Sequence, residues 1–314
     1  MERVFVDINA ALPDDIVITK IQNQFHSRGV VPRFKDVLRA RRLRGQVNHV
    51  VGDVHYLTAF LPRQRTILTI HDCEMIDRNR GLKRWFLKLL WLDMPVRLVG
   101  TVVAISERTR DDIVRLSGVD PAHIRIIDNP VSARFKPASP PPDNSPVTAL
   151  HIGTKANKNL ERLIEASQGL ALKLLIVGHL SEPQRALLEK ADVSFELFSN
   201  LSDDEMQAMY VKATFLSFVS LSEGFGLPIV EAQAVGRPVL TANREPMMSV
   251  ASPDGALFVD PDDVTSIRQG LERLAFDKAL RGQLVAAGER NVKRFDAGTV
   301  AARYAELYRE VATA

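Results

Sequence analysis

The sequence predicts an α/β protein of two doubly wound, Rossmann-like domains, and three observations carry that expectation. Short β-rich runs alternate with helix-period patterns in both halves, as parallel sheets with crossover helices require. A proline-rich stretch at 137–146 interrupts the alternation. The length of 314 residues exceeds one ordinary domain and suits two.

In the first half, Val4–Ile8, Val47–Val51, Thr66–Ile70, Thr101–Ile105 and Ile124–Ile127 read as strands, being short runs rich in branched aliphatic residues. Helical spacing near 33–43, 81–91 and 106–116 separates several of them. The stretch Pro-Ala-Ser-Pro-Pro-Pro-Asp-Asn-Ser-Pro then removes backbone donors and favours extended chain, so 138–146 reads as a linker. Beyond it, Val147–Ile152, Leu172–Val177, Val193–Leu197, Phe215–Val219, Pro238–Thr241 and Ala256–Val259 are expected strands. Helical patterns near 263–275, 279–291 and 297–312 close the chain. In such sheets ligands bind outside the carboxyl ends of the strands, which here means a cleft between the two domains.

Composition narrows the class. With 46% hydrophobic and 25% charged residues, a large core can form without disulfides. The single cysteine, Cys73, excludes an intramolecular disulfide and a thiolate zinc site, and suits a reducing cytosol. The first residues lack a signal-peptide layout, and no run approaches the roughly 20 apolar residues of a membrane span. A cytoplasmic protein is expected. The net charge of +3 conceals an asymmetry: residues 1–137 carry 23 Lys+Arg against 15 Asp+Glu, and residues 138–314 carry 18 against 23. The basic half is expected to meet something anionic.

That basic charge concentrates in Arg28, Arg33, Lys35, Arg39, Arg41, Arg42 and Arg44, and again in the segment 81–92, where cations interleave with Trp85, Phe86, Trp91 and leucines. A helix over 81–92 could lie in a membrane interface with its cations on lipid phosphates. It could equally face the core with its basic side solvated. No nucleic-acid-binding module is recognisable.

Two turns carry the chemistry. Ser222-Glu223-Gly224-Phe225-Gly226-Leu227-Pro228-Ile229-Val230-Glu231 follows an apolar run, so a strand ends and a helix begins there. Pro228 suits the start of the helix and Gly236 its stop. The two glycines leave backbone N–H groups at a positive helix end, where an anion can bind. Glu223 beside such a site makes sense as a sugar-hydroxyl acceptor, and Glu231, one turn on, as an acceptor for ribose hydroxyls. The plainer reading is a glycine turn with two carboxylates favoured by the helix dipole. The second turn, His151-Ile152-Gly153-Thr154-Lys155-Ala156-Asn157-Lys158-Asn159-Leu160, also enters a helix, with Asn157 or Asn159 as N-cap. Lysines at 155 and 158 oppose the dipole unless an anion such as a diphosphate compensates them; solvated lysines are the alternative.

Together these turns resemble the retaining glycosyltransferase family 4, of GT-B fold, whose second domain carries Glu-x7-Glu within a Glu-Gly-Phe-Gly-Leu-Pro core. The resemblance covers 147–275, including Arg237-Pro238-Val239 and Val259-Asp260-Pro261-Asp262-Asp263. It extends to Thr69-Ile70-His71-Asp72, to Val103–Glu107 and to Ile126–Pro130, and the 297–312 helix is similar to the one that returns to the first domain in this fold. What it implies is an acceptor-side domain over 1–137, completed by 297–314, and a nucleotide-sugar-binding domain over 147–296. Lys158 would neutralise the diphosphate. The backbone of Gly224, Phe225, Gly226 and Leu227, with Gly153, Thr154 and Lys155, would contact phosphates or sugar. Glu223 would hold the donor sugar, Glu231 the ribose, Leu201 would lie by the base, and His71 would reach the donor sugar unless it is simply satisfied at its strand end. His49 and His55 read as structural or acceptor-lining.

The implied reaction moves a hexose-type unit from a nucleotide-diphosphate sugar to a hydroxyl of a glycan or lipid-linked acceptor by front-face displacement, with no metal or other cofactor. Asp260-x-Asp262 superficially resembles a metal motif but sits where helix capping accounts for it. Three departures stand out: Asn9-Ala10-Ala11-Leu12-Pro13 replaces a glycine-rich turn, Thr154 stands where an arginine is common, with Lys155 as its substitute, and Asn129-Pro130 replaces Asn-Gly. The rivals are a nucleotide-sugar epimerase and a catalytically silent nucleotide-binding scaffold on the same fold.

Overall fold

The computed structural model describes residues 2–22 and 30–313, so Arg28 lies outside the described residues. The chain forms two compact units, Met1–Pro130 with Ala297–Ala314, and Val131–Asp296. The proline-rich stretch belongs to the second unit: Ala138 N donates to Val235 O at 3.2 Å, and Asp143 pairs with Lys278 at 2.8 Å.

The first unit is an all-parallel sheet of β1 (Asn48–Val50), β2 (Thr66–Ile70), β3 (Thr101–Ala104) and β4 (Ile124–Ile126), in that spatial order. Every residue of β2 is buried, as a strand covered on both faces must be. Its core joins Leu68, Ile70, Val102 and Ala104 to Leu92, Val96 and Ile113 from the helices. Helix Glu107–Ser117 starts where the Ser106 side chain accepts from Thr109 N and ends on Gly118 at φ 67°, a left-handed position glycine enters freely.

Val4–Ile8, expected as a strand, lies in the helix Glu2–Ala10. Val4, Phe5 and Ile8 are buried while Val6 is 55% exposed, a one-face pattern of helical spacing that the apolar run alone does not distinguish from alternation. The Asn9–Pro13 segment therefore follows a helix rather than a strand. This helix packs on Ala297–Thr313, and Phe5, Tyr304 and Tyr308 surround His49.

Helix Gly81–Leu87 continues through a π-helical segment, Lys88–Asp93, into Met94–Leu98. No residue of Gly81–Leu87 is buried, and Leu82, Trp85, Phe86 and Leu90 are 79%, 55%, 54% and 54% exposed. The segment divides: Leu82, Trp85, Phe86 and Leu90 are open to solvent, whereas Leu92 is buried in the core and Trp91 packs against it.

The second unit is a six-stranded parallel sheet of β5 (Thr148–Ile152), β6 (Lys173–Val177), β7 (Ser194–Phe198), β8 (Phe215–Phe218), β9 (Val239–Ala242) and β10 (Leu257–Val259). The spatial order is β10-β9-β8-β5-β6-β7. The chain winds outward from β5 in one direction, then returns to its other side at β8, so the topological switch point lies between the carboxyl ends of β5 and β8.

Arg237, only 2% exposed, holds this unit from beneath. Its guanidinium donates to the carbonyls of Tyr210, Val211, Val235, Gly236, Ala138 and Ser139 at 2.7–3.4 Å. Four of these lie at the ends of helices Asp203–Lys212 and Leu227–Ala234, where the dipoles are negative and unpaired carbonyls accumulate. A buried cation is thus satisfied by backbone oxygen.

Four histidines are held neutral by burial. His49 is pushed down to about 3, and His55, His71 and His151 to about 4. Unfolded, each takes up a proton near pH 6.5, so between there and its native value the unfolded chain binds more protons. Stability is expected to be full above about pH 6.5 and to fall with acidification, by up to about 1.4 kcal/mol per pH unit for each histidine. Three of the four lie in the first unit, so urea unfolding followed at pH 7, 6 and 5 should show that unit weakening more steeply.

Candidate functional site

Each unit carries one constellation. In the second, the turns leaving β5 and β8 meet at the switch point. Lys158 Nζ lies 2.6 Å from Glu223 Oε1 and 4.8 Å from the centre of the Phe218 ring, with the two charged side chains 18% and 13% exposed. Gly153 makes this possible. At φ 91° it passes under the lysine stem, and a Cβ there would meet Lys158 Cγ at 2.9 Å.

Asparagines stitch the turns together. Asn157 Nδ2 donates to Ser222 O at 3.0 Å, and Leu221 N returns a bond of 2.8 Å to Asn157 O. Asn159 occupies the N-cap position of helix Leu160–Ser167 with φ 62°, yet its side chain does not cap that helix. Instead Nδ2 donates to Val219 O and Pro261 O, joining three strand-end loops. The expected capping role is thus replaced by tertiary bonding that satisfies buried carbonyls.

Helix Leu227–Ala234 begins at Gly226, φ 106°, with no side chain capping it and with Pro228 near its start. Pro228 brings no N–H and Ile229 N donates to Gly226 O at 2.9 Å, so the start of this helix has no side-chain cap, an arrangement that suits an anion. Phe225 is buried edge-on against Phe295, at 5.6 Å between ring centres, so its ring belongs to the core. Glu231 accepts a 2.5 Å hydrogen bond from the Tyr210 hydroxyl. Burial, reinforced by the Glu231 charge, raises that hydroxyl well above the ordinary tyrosine value, so it remains a donor. Tyr210 is in turn held by Arg237 Nε on its carbonyl, at 3.1 Å.

Thr154 takes no part in charge pairing. Its hydroxyl donates to His179 O at 2.6 Å, and a Cβ on Gly178 would lie 2.7 Å from its methyl. Lys155 is exposed beside it. Leu201 is half-buried, just before Ser202, the cap of helix Asp203–Lys212. Lys158 and the turn bearing Glu223 thus come together, while Lys155 is exposed and Leu201 is half-buried. The sequence reading missed Tyr210 and Arg237. Tyr210 is a single aromatic on a polar helix, and Arg237 finds only backbone acceptors, so neither carries a local signature.

In the first unit a recess of about 110 Å³ is lined by Gly52, Asp53, His55, His71, Asp72, Met75 and Trp91. Pro95 has no N–H for the carbonyl four residues back, and His55 Nδ1 lies 2.6 Å from that Trp91 oxygen. His55 is therefore the Nδ1–H tautomer, stacked on Trp91 at 4.0 Å, with Nε2 left as an acceptor. His71 Nε2 and Trp91 Nε1 are buried with no hydrogen-bond partner. His49 is different: Tyr308 and Thr69 hydroxyls meet both its nitrogens at 2.8 and 2.7 Å, which makes it structural. Cys73 is buried and its thiol is pushed up to about 12, first by burial, so it stays protonated.

Asp263 caps helix Val264–Phe276 by accepting from Thr265 N, and Asp260 accepts from the N–H of Asp262, whose carboxylate pairs with Arg244. Among the described residues no group of three or more His, Cys, Asp and Glu side chains is arranged to hold a metal ion. No described helix is long and apolar enough to cross a membrane.

The chain is 26% identical over 268 residues to the O-antigen chain mannosyltransferase B of Escherichia coli, covering 75% of this chain and 68% of that protein. It is 26% identical over 243 residues to the MMP alpha-(1->4)-mannosyltransferase of Mycolicibacterium hassiacum, covering 74% of this chain but only 59% of the relative. It superimposes on the Anabaena protein HepE, solved in complex with UDP-glucose, with a TM-score of 0.74 at 18% identity over 93% of this chain and 85% of that one. The fold is therefore the two-domain α/β GT-B type. Residues 133–291 match the model of the glycosyl transferases group 1, and residues 10–135 match that of glycosyltransferase family 4. Because the turns at Lys158 and Glu223 fall inside the first of these matches, the chain belongs to the group 1 glycosyltransferases.

Proposed function

We propose that this protein is a retaining, metal-independent glycosyltransferase that moves a hexose-type unit from a nucleotide-diphosphate sugar to a hydroxyl of a glycan or lipid-linked acceptor. The observation that carries the proposal is the meeting of Lys158, Glu223 and the uncapped helix start at 226–227, at the switch point of the second sheet. On this reading 147–296 binds the donor. The diphosphate lies on Lys158 and the 224–227 amides, beside Gly153, Thr154 and Lys155; Glu223 accepts from sugar hydroxyls and Glu231 from the ribose; the base lies by Leu201. As the sugar C1–O bond to phosphate breaks, charge grows on the departing diphosphate, and fixed donors there lower the barrier. The acceptor oxygen bonds to C1 on the same face, and its proton passes to the leaving phosphate oxygen.

The first unit, with its returning helix, is the acceptor side. On this reading His71 meets the donor sugar, and the recess beside it offers neutral His55 Nε2 and the carboxylates of Asp53 and Asp72 to hydroxyls. A thermal-shift panel of UDP-, GDP- and ADP-sugars, with and without a chelator, tests the proposal. One donor class should raise the melting temperature by several degrees regardless of chelator, as mass action requires. Stabilisation by none of them would end it.

Mannosyl transfer is the activity in the names of both curated relatives, and UDP-glucose occupies the structural one, so GDP- and UDP-hexoses are the leading donors. Tyr210→Phe frees Glu231 from its charge-assisted bond, and the donor KM is expected to rise about tenfold with kcat little changed. Steady-state kinetics decides it. On this reading the protein meets the cytoplasmic membrane face through the open Leu82, Trp85, Phe86 and Leu90 side with Lys83 and Arg80 beside it. Flotation with anionic vesicles should carry the wild type, and Trp85→Ser with Phe86→Ser should stay behind.

A further inference from the structure

We infer that the Lys158–Glu223 pair makes the site reject the free nucleoside diphosphate: Glu223 competes with the diphosphate for Lys158, and only the hydroxyls of an attached sugar re-pair the carboxylate that Lys158 leaves. The inference rests on the donor-site reading above and deepens it, from a residue that holds sugar to one that separates donor from product.

The geometry leaves Lys158 little choice. Its stem lies against Gly153, where a Cβ would come within 2.9 Å, and its ammonium sits over the Phe218 ring at 4.8 Å. Its charge is already neutralised at 2.6 Å by a carboxylate that is itself largely buried. Glu223 cannot retreat with its backbone, because Asn157 holds the adjoining Ser222 carbonyl and Leu221 N is bonded back to Asn157 O. An arriving diphosphate therefore competes for Lys158 and stands as a second anion beside the Glu223 carboxylate.

The two ligands differ in how they treat that carboxylate. A nucleotide sugar carries hydroxyls next to its diphosphate, and these donate charge-assisted bonds to Glu223, replacing what Lys158 gave. The free diphosphate ends in a phosphate monoester, which holds an additional negative charge near neutral pH and brings no donor. It leaves a partly buried carboxylate unpaired against a like charge, a penalty that corresponds to about ten- to a hundredfold in affinity. The product is thereby released while the donor is kept. A merely structural ion pair would show no such selectivity.

The test is calorimetric titration of the wild type, Glu223→Gln, Lys158→Gln and the double variant with UDP against UDP-glucose and GDP against GDP-mannose, using whichever pair the wild type binds. Glu223→Gln is expected to bind the free diphosphate about ten- to a hundredfold tighter, with no matching gain for the sugar-bearing form. In the Lys158→Gln background that gain should shrink, since the competition for the lysine is gone and only the like-charge repulsion remains; the cycle isolates the coupling between the two groups. Glu223→Asp, which keeps the charge but retracts it, should gain less and serves if the glutamine variant folds poorly. Unchanged or weaker diphosphate binding by Glu223→Gln, while the wild type binds, overturns the inference and leaves the donor site standing. A gain undiminished by Lys158→Gln overturns it as well. Failure of the wild type to bind any of the four ligands removes the donor-site reading, and the inference falls with it.

Discussion

Lys158→Ala is expected to lower sugar transfer by about a hundred- to a thousandfold while the protein stays folded, the loss seen when one preorganised donor to a developing anion is removed. The site makes the lysine hard to replace. Glycine at 153 gives its stem a path, the Phe218 ring lies beneath its ammonium, and the turns bearing Lys158 and Glu223 are tied by Asn157. The loss should fall mainly on kcat, because charge on the leaving diphosphate grows in the transition state. Lys158→Arg should recover only part of it, since the larger planar head does not fit the same path. Transfer assayed alongside circular dichroism decides the matter. Turnover within tenfold of the wild type, with an unchanged melt, would remove Lys158 from the chemistry.

Arg237→Met should destabilise the second unit by about 3–5 kcal/mol, since several buried carbonyls lose a donor at about 1–3 kcal/mol each. The physical reason is that six backbone carbonyls lose the guanidinium together, and of these Val235 O keeps the Ala138 N–H. Several lie at helix ends, where no intrahelical N–H can take over. Arg237→Lys keeps the charge but offers a single ammonium with three donors, so it should recover only part of the loss. Urea midpoints of the three proteins test the order. The arginine also holds the Tyr210 carbonyl, and Tyr210 holds Glu231, so Arg237→Lys should raise the donor KM before it unfolds the chain. A midpoint for Arg237→Met equal to wild type would refute the account.

Much of the second unit was legible from its residues. β5, β6, β8 and β9 were expected within a residue or two of where they lie, because strands covered on both faces read as short unbroken apolar runs. The turn at 222–231 was legible for a related reason: glycine, proline and helix-entry chemistry are local. The first segment misled. Val4, Val6 and Ile8 alternate, Val4, Phe5 and Ile8 share a helical face, and an isolated short run fits both periods. The exposure of 81–92 was left open for the same reason, since an apolar stripe says nothing about which surface covers it.

Composition and local spacing were enough to establish an α/β chain in two parts, the places where strands turn into helices, and a lysine and two glutamates beside glycine turns. Those features depend on φ preference, side-chain period and missing N–H groups, all set within a few residues. Folding in three dimensions was needed to bring β8 beside β5, to close Lys158 on Glu223 across 65 positions, and to give Glu231 its tyrosine. It also turned Asn159 from a cap into a stitch and Arg237 into a hub for carbonyls. Such contacts answer the demand that buried charges and carbonyls find partners, and the partner that is nearest in space has no fixed distance along the chain.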